Sequence, residues 1–141
     1  MTAPSLFALL IAATSPMSPA AAEAAPSARL CPLQGIQQLR IYEIFDHNKA
    51  AFHERFRTHA HRIMRRHGFD IVASWQSRNG HRTEYVYLLQ WPDEATMRRH
   101  WNAFMADEEW SRIKRETGAR HGRLVGEIEN RVLRKTDYSP C

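Results

Sequence analysis

Lysine is scarce in this chain: Lys49, Lys114 and Lys135 are its only three, so the formal net charge of +5 is carried almost entirely by arginine. The arginines are scattered among Asp and Glu on segments of helical spacing, and no basic run is flanked by aromatics. That is the look of a solvated face, so no nucleic-acid partner is expected. Cysteine is rarer still, with Cys31 and Cys141 alone. No Cys-x-x-Cys exists, which removes the usual cysteine-based zinc sites. There is no G-x-S-x-G, no glycine-rich phosphate loop, and no His/Asp/Ser order in a fitting context. Long apolar runs are missing too. The clearest, Leu6 to Ala13, has eight residues, where a bilayer-spanning helix needs about 20.

Histidine is plentiful, with eight, but its spacing excludes the zincin pattern: His53-Glu54 is followed by His59, not by a histidine at position 57. His53, His59, His61 and His67 point around a helix instead of into one site, and no metal site is expected. The remaining composition, 43% hydrophobic and 25% charged over 141 residues, is that of one globular domain.

The first 28 residues carry no Lys or Arg and a single acid, Glu23. The apolar stretch at Leu6 to Ala13 and the small residues Ala20 and Ala22 read as an export signal cleaved after Ala22. The chain thus divides into a signal peptide (1–22), a linker (23–35) and a folded domain (36–137), with a periplasmic or secreted product and no membrane span in the mature protein. The signal lacks its usual positive n-region, so a disordered Ala/Pro tail, or a start at Met17 in a cytoplasmic protein, is the alternative.

Beyond the leader, Ile36 to Phe45 alternates as a strand, and Asp46 or Asn48 offers an N-cap. Phe52, Phe56, Ala60 and Ile63 then recur at helical spacing until Gly68. Phe69 to Ser77 is a second strand, Asn79-Gly80 a hairpin signal, and "EYVYLLQW" (Glu84 to Trp91) a third strand with apolar groups on both faces. Pro92-Asp93 opens a helix through Met97, Trp101 and Phe104. Asp107 with Glu108 and Glu109 opens another through Trp110 and Ile113. "KRETGARHGR" reads as a mobile loop, and Leu124 to Arg134 as a last strand. Spaced as they are, Trp91, Trp101 and Trp110 read as core.

This β-α-β-β-α-β order is the α+β, ferredoxin-like arrangement: a four-stranded antiparallel sheet with both helices on one face. A chain of this length has nothing left to cover the other face. A second copy packed sheet to sheet would bury it, over roughly 1,200–2,000 Å² or more. The segments "LRIYEI", "RHGF", "SW", "YVYLLQWPDEATMRRHW", "DEEW" and "RVLRKTDYSP" resemble, in order and spacing, the NIPSNAP domain of the dimeric α/β-barrel group, from about Gln38 to Pro140. The resemblance implies a homodimer with facing sheets and a cavity between sheet and helices. It implies no settled chemistry, since members are linked to vesicle, mitochondrial and scaffold roles. Relatives of this architecture that bind haem do so through one helix histidine, a part His59 or His67 would play here. Otherwise no cofactor is expected.

Two further expectations follow from the topology. The first and last strands are antiparallel neighbours, so Cys31 and Cys141 flank one end of the sheet. A disulfide within the chain would contribute roughly 4–5 kcal/mol in the chain-entropy model; two free thiols or a bridge between protomers are the alternatives. If Leu39, Ile41 and Phe45 pack under the helices, then Arg40, Tyr42 and Ile44 face the space between sheets, shared with Glu127, Glu129 and Arg131. Arg40 is then either an ion-pair partner of Glu129 or Glu127, or an anion contact for a small ligand. The candidate pocket is Arg40, Tyr42, His59, Trp75, Tyr87 and Glu129. The expected function is an exported homodimeric ligand-binding or scaffold module. The alternative is a small-molecule enzyme of the cofactor-independent oxygenase or isomerase kind, or a haem binder. No matched acid–base pair is visible, which favours the first.

Overall fold

The computed structural model describes residues 35–140; the leader, most of the linker, and both Cys31 and Cys141 with their expected bridge lie outside the described residues. In chain order the elements are β1 (Ile36–Ile44), α1 (Lys49–Arg55), a π-helical turn (Phe56–Ala60), α2 (His61–Arg66), β2 (Asp70–Asn79), β3 (Arg82–Trp91), α3 (Glu94–Met105), α4 (Glu108–His121) and β4 (Val125–Leu133). The four strands form one antiparallel sheet in the order β2-β3-β1-β4. This is the ferredoxin-like topology that the sequence order implies.

Local chemistry explains the boundaries. α1, the π turn and α2 run on as one rod whose inward side chains Phe52, Phe56, Ala60, Ile63 and Met64 are buried. The rod ends in a Schellman motif: Gly68 N–H donates to the Arg65 carbonyl at 3.0 Å and Phe69 N–H to the Met64 carbonyl at 3.1 Å. Gly68 takes φ +77° there, which its missing Cβ permits. Asp93 and Asp107 cap α3 and α4, accepting from the backbone N–H of Thr96 (2.7 Å) and Trp110 (2.9 Å). The β2–β3 hairpin pairs Asn79 with Arg82, so its turn is Gly80-His81 and not Asn79-Gly80. Positive φ falls on Gly80 alone of the two, as a type II′ turn requires.

Three expectations are corrected. Asn48 precedes α1 without capping it. Its amide instead donates to the carbonyls of His121 and Arg123, both at 2.9 Å, and so clips the end of α4 to the start of α1. The segment read as a mobile loop is helical as far as His121, because Thr117 continues the inward spacing of Trp110 and Ile113 and accepts a 3.1 Å hydrogen bond from Arg55 on α1. The faces of β1 are also reversed from expectation. Ile36, Gln38, Tyr42 and Ile44 are buried under the helices with Arg40 among them, while Leu39 and Ile41 lie on the helix-free face. Gln38 explains the inversion: its side-chain carbonyl accepts from the indole N–H groups of Trp91 (3.0 Å) and Trp101 (2.8 Å), so a polar residue takes a core position fully satisfied.

On β3, Tyr85, Tyr87, Leu89 and Trp91 face the helices and are buried, and Val86 and Leu88 face away. The helix-free face therefore carries Leu39, Ile41, Val86 and Leu88, only partly covered, beside Trp75 (51% exposed) and Leu133 (39%). An ionic group lies at one end of it. Arg82 pairs with Glu84 (3.2 Å) and Glu127 (2.9 Å), and Arg131 pairs with Glu129 (2.7 Å).

Candidate functional site

Between β1 and the helices lies a cavity of about 250 Å³. Its walls are aromatic and aliphatic: Phe52, Phe56 and Met64 from the first helical rod, Trp101, Phe104 and Met105 from α3, Trp110 from α4, and Val125 and Ile128 at the start of β4. Its polar groups are Arg40 and Tyr42 from β1, Arg55 from α1 and Lys114 from α4. None of these lining residues is an acid, a histidine, a cysteine or a serine.

Alternation along β1 sets Arg40 and Tyr42 two residues apart on the same face. The Tyr42 hydroxyl is 2.7 Å from that of Tyr87, whose side chain is fully buried behind it, and it accepts from Arg40 Nη2 at 3.3 Å. Arg40 lies over two rings, its guanidinium carbon 4.6 Å from the centre of Trp101 and 5.3 Å from that of Tyr42. Trp101 is fixed in turn by its hydrogen bond to Gln38, whose amide also donates to Asn130 at 2.6 Å. Arg40 Nε is sealed from solvent with no hydrogen-bond partner among the described residues.

Electrostatics follow from burial. Desolvation opposes the charge on Arg40, yet the Tyr42 and Tyr87 oxygens beside it outweigh that and leave its pKa raised. Burial lowers the pKa of Arg55, with Tyr42 opposing. Burial pushes the Tyr87 phenol well above its ordinary value, so it stays protonated as a donor or acceptor toward Tyr42. A polar head group has donors at Arg40 and Tyr42, and an apolar body has aromatic walls.

Of the residues singled out in the sequence, Arg40, Tyr42 and Tyr87 are brought together, but on the helix side of the sheet. Trp75 and Glu129 lie on the opposite face, so the expected Arg40–Glu129 pair does not form; Glu129 binds Arg131 instead. His59 lines a separate outer groove with His47, Thr117 and His121, and His67 Nε2 is 2.7 Å from Asp107 Oδ2. Neither histidine lines the cavity, so it offers none to a haem iron and the residues present do not fit that group. Arg55 carries no signal in the sequence that places it here, and Lys114 only its spacing from Trp110; Trp110 is a core residue and Trp101 packs against the core, as their spacing predicts, and both also line the cavity. Trp110 and Lys114 stand four apart on α4, a spacing that places both on one helix face.

Among the described residues no three His, Cys, Asp or Glu side chains come together as a metal site, and no helix is long and apolar enough to cross a membrane.

The sheet order, with helices on one face and a cavity beneath them, defines the class: an α+β ferredoxin-like chain. The NIPSNAP family profile matches residues 37–140, and the chain belongs to that family. It is similar in structure to a NIPSNAP-like domain protein from Burkholderia xenovorans, at 20% identity and a TM-score of 0.64, covering 77% of this chain and 90% of that one. It is also similar to a NIPSNAP family protein from Agrobacterium tumefaciens, at 18% identity and a TM-score of 0.65, over 76% of this chain and 98% of that one. A monooxygenase from Streptomyces coelicolor, solved in complex with the ligand nanaomycin D, shares the fold at 14% identity and a TM-score of 0.50, over 78% and 95% of the two chains. No curated protein matches the chain.

Proposed function

We propose that this NIPSNAP protein is an exported homodimeric module that binds a small molecule in the cavity between sheet and helices. The observation that carries the binding reading is Arg40: a cation stacked on Trp101, with a sealed and unpartnered Nε, on the wall of a 250 Å³ cavity lined by aromatics. Small-molecule sites have this mixture of apolar walls and a few convergent polar groups. The homodimer is supported by the helix-free face, where the described residues leave Leu39, Ile41, Val86 and Leu88 only partly covered and Trp75 exposed. Export is supported by the leader's composition and by a cysteine count of two.

Native mass spectrometry of protein purified from its own host tests all three parts. The expected spectrum is a dimer, cleaved near Ala22, with a retained ligand of small-molecule mass. A ligand-free single chain would sink the binding and pairing readings together. The same intact mass reports the cysteines, a loss of two hydrogens per chain marking a disulfide.

A small-molecule enzyme of the dimeric α/β-barrel type is the second reading. The Tyr42 hydroxyl, held between Arg40 and Tyr87 at the cavity wall, favours it as a proton-transfer group. Conversion of the retained ligand on incubation in air, abolished by Tyr42→Phe, would select this reading over binding alone.

A further inference from the structure

We propose that the cavity selects small amphipathic monoanions, carboxylic acids with an aromatic or compact apolar body, whose carboxylate sits on Arg40 and Arg55. This rests on the ligand-binding reading above and names the chemical class that the site takes.

Charge imbalance is the starting point. Three cations line the cavity, Arg40, Arg55 and Lys114, and no acid does. A part-buried guanidinium without a carboxylate is costly unless something compensates it. The compensation present is incomplete: two ring faces and one 3.3 Å hydrogen bond to Tyr42 for Arg40. For Arg55 it is a 3.1 Å bond to the Thr117 hydroxyl and the face of Trp110 at 5.6 Å. A guanidinium has five N–H donors in a planar fork that matches a carboxylate. The contact with Trp101 at 4.6 Å and the bond to Tyr42 restrain the Arg40 side chain, so less side-chain freedom is lost when a carboxylate arrives.

The rest of the cavity sets the body and the charge number. Its walls beyond the three cations and Tyr42 are aromatic or aliphatic, and 250 Å³ falls just under the usual ~300–1,000 Å³ of small-molecule sites. A phosphate ester would bring a second charge into these apolar walls. No glycine-rich loop is present to cradle one.

The test is calorimetric titration of the full mature chain with 2-naphthoate and 4-phenylbutyrate, each beside its uncharged primary amide. The acids are expected to bind at least tenfold more tightly than the amides, with an advantage that shrinks as salt is added. Arg40→Gln should abolish the preference, and Arg40→Lys should restore part of it. Should Arg40→Gln fail to fold by circular dichroism, Arg55→Gln must reduce the preference in its place. Amides that bind as well as the acids, or acids indifferent to these arginines, overturn the monoanion inference and leave the binding site standing. If none of the four compounds binds, the monoanion inference falls, and the binding reading is decided separately by whether native mass spectrometry finds a retained ligand.

Discussion

The Tyr42 and Tyr87 hydroxyls, 2.7 Å apart beside the cavity, let one residue's contribution be measured against another's. Removing the Tyr42 hydroxyl leaves that of Tyr87 buried without this partner, at an expected cost of about 1–3 kcal/mol. Urea denaturation of Tyr42→Phe should show a lower midpoint. The Tyr42→Phe/Tyr87→Phe double variant should lose less than the two singles summed, because the second removal takes away an orphan. Strictly additive losses would mean that the two hydroxyls do not interact. All three residues of this group, Arg40 included, were legible in the sequence; the side of the sheet they occupy was not. Leu39 and Ile41 outrank Gln38 and Arg40 in hydropathy, and a pattern read by hydropathy sends the greasier pair inward. The indole N–H groups of Trp91 and Trp101 decide otherwise, since both need the Gln38 carbonyl, and their side chains come from β3 and α3, far along the chain.

Helix α4 meets α2 through charge. Arg62 and Arg66 both bind Glu109, the latter at 2.8 Å, and Arg66 reaches Asp107 at 2.7 Å. The hydrogen bonds from Arg62 and then Arg66 lower the Glu109 pKa from the ordinary 4.5 to about 2. His67 first, then the Trp110 backbone N–H, hold Asp107 well below the carboxylate range. A carboxyl whose folded pKa is depressed binds fewer protons folded than unfolded. Its stabilisation is present above the unfolded value and is lost as pH falls through the folded one. For Glu109 that window runs from 4.5 down to about 2. The pair is exposed, so the effect is small and screened by salt. Melting temperatures recorded across this window should fall less steeply in Arg62→Gln/Arg66→Gln than in the native chain. Parallel slopes would remove the network from the stability account. The acids of this network announce themselves in sequence as a capped first turn. Their arginine partners do not, because the contacts span more than 40 positions along the chain. The π turn at Phe56–Ala60 likewise left no mark that helical spacing detects.

At the level of the whole molecule, the sheet order and the uncovered face were readable because both depend on alternation and element order alone. Pairing through that face has a direct test. Leu88→Glu puts a charge among Leu39, Val86 and Trp75, where an isologous contact would bury it on both copies. Sedimentation should give a dimer for the native mature protein and a folded single chain for the variant. A native chain that already sediments alone would remove the partner.

β1 belongs to two surfaces at once: Arg40 and Tyr42 line the cavity, while Leu39 and Ile41, their immediate neighbours in the chain, lie on the opposite face. On the function proposed above, occupancy on one side and assembly on the other would act on a single ribbon of backbone. Thermodynamic reciprocity then fixes their relation: whatever factor a guest adds to self-association, self-association returns to the guest's affinity.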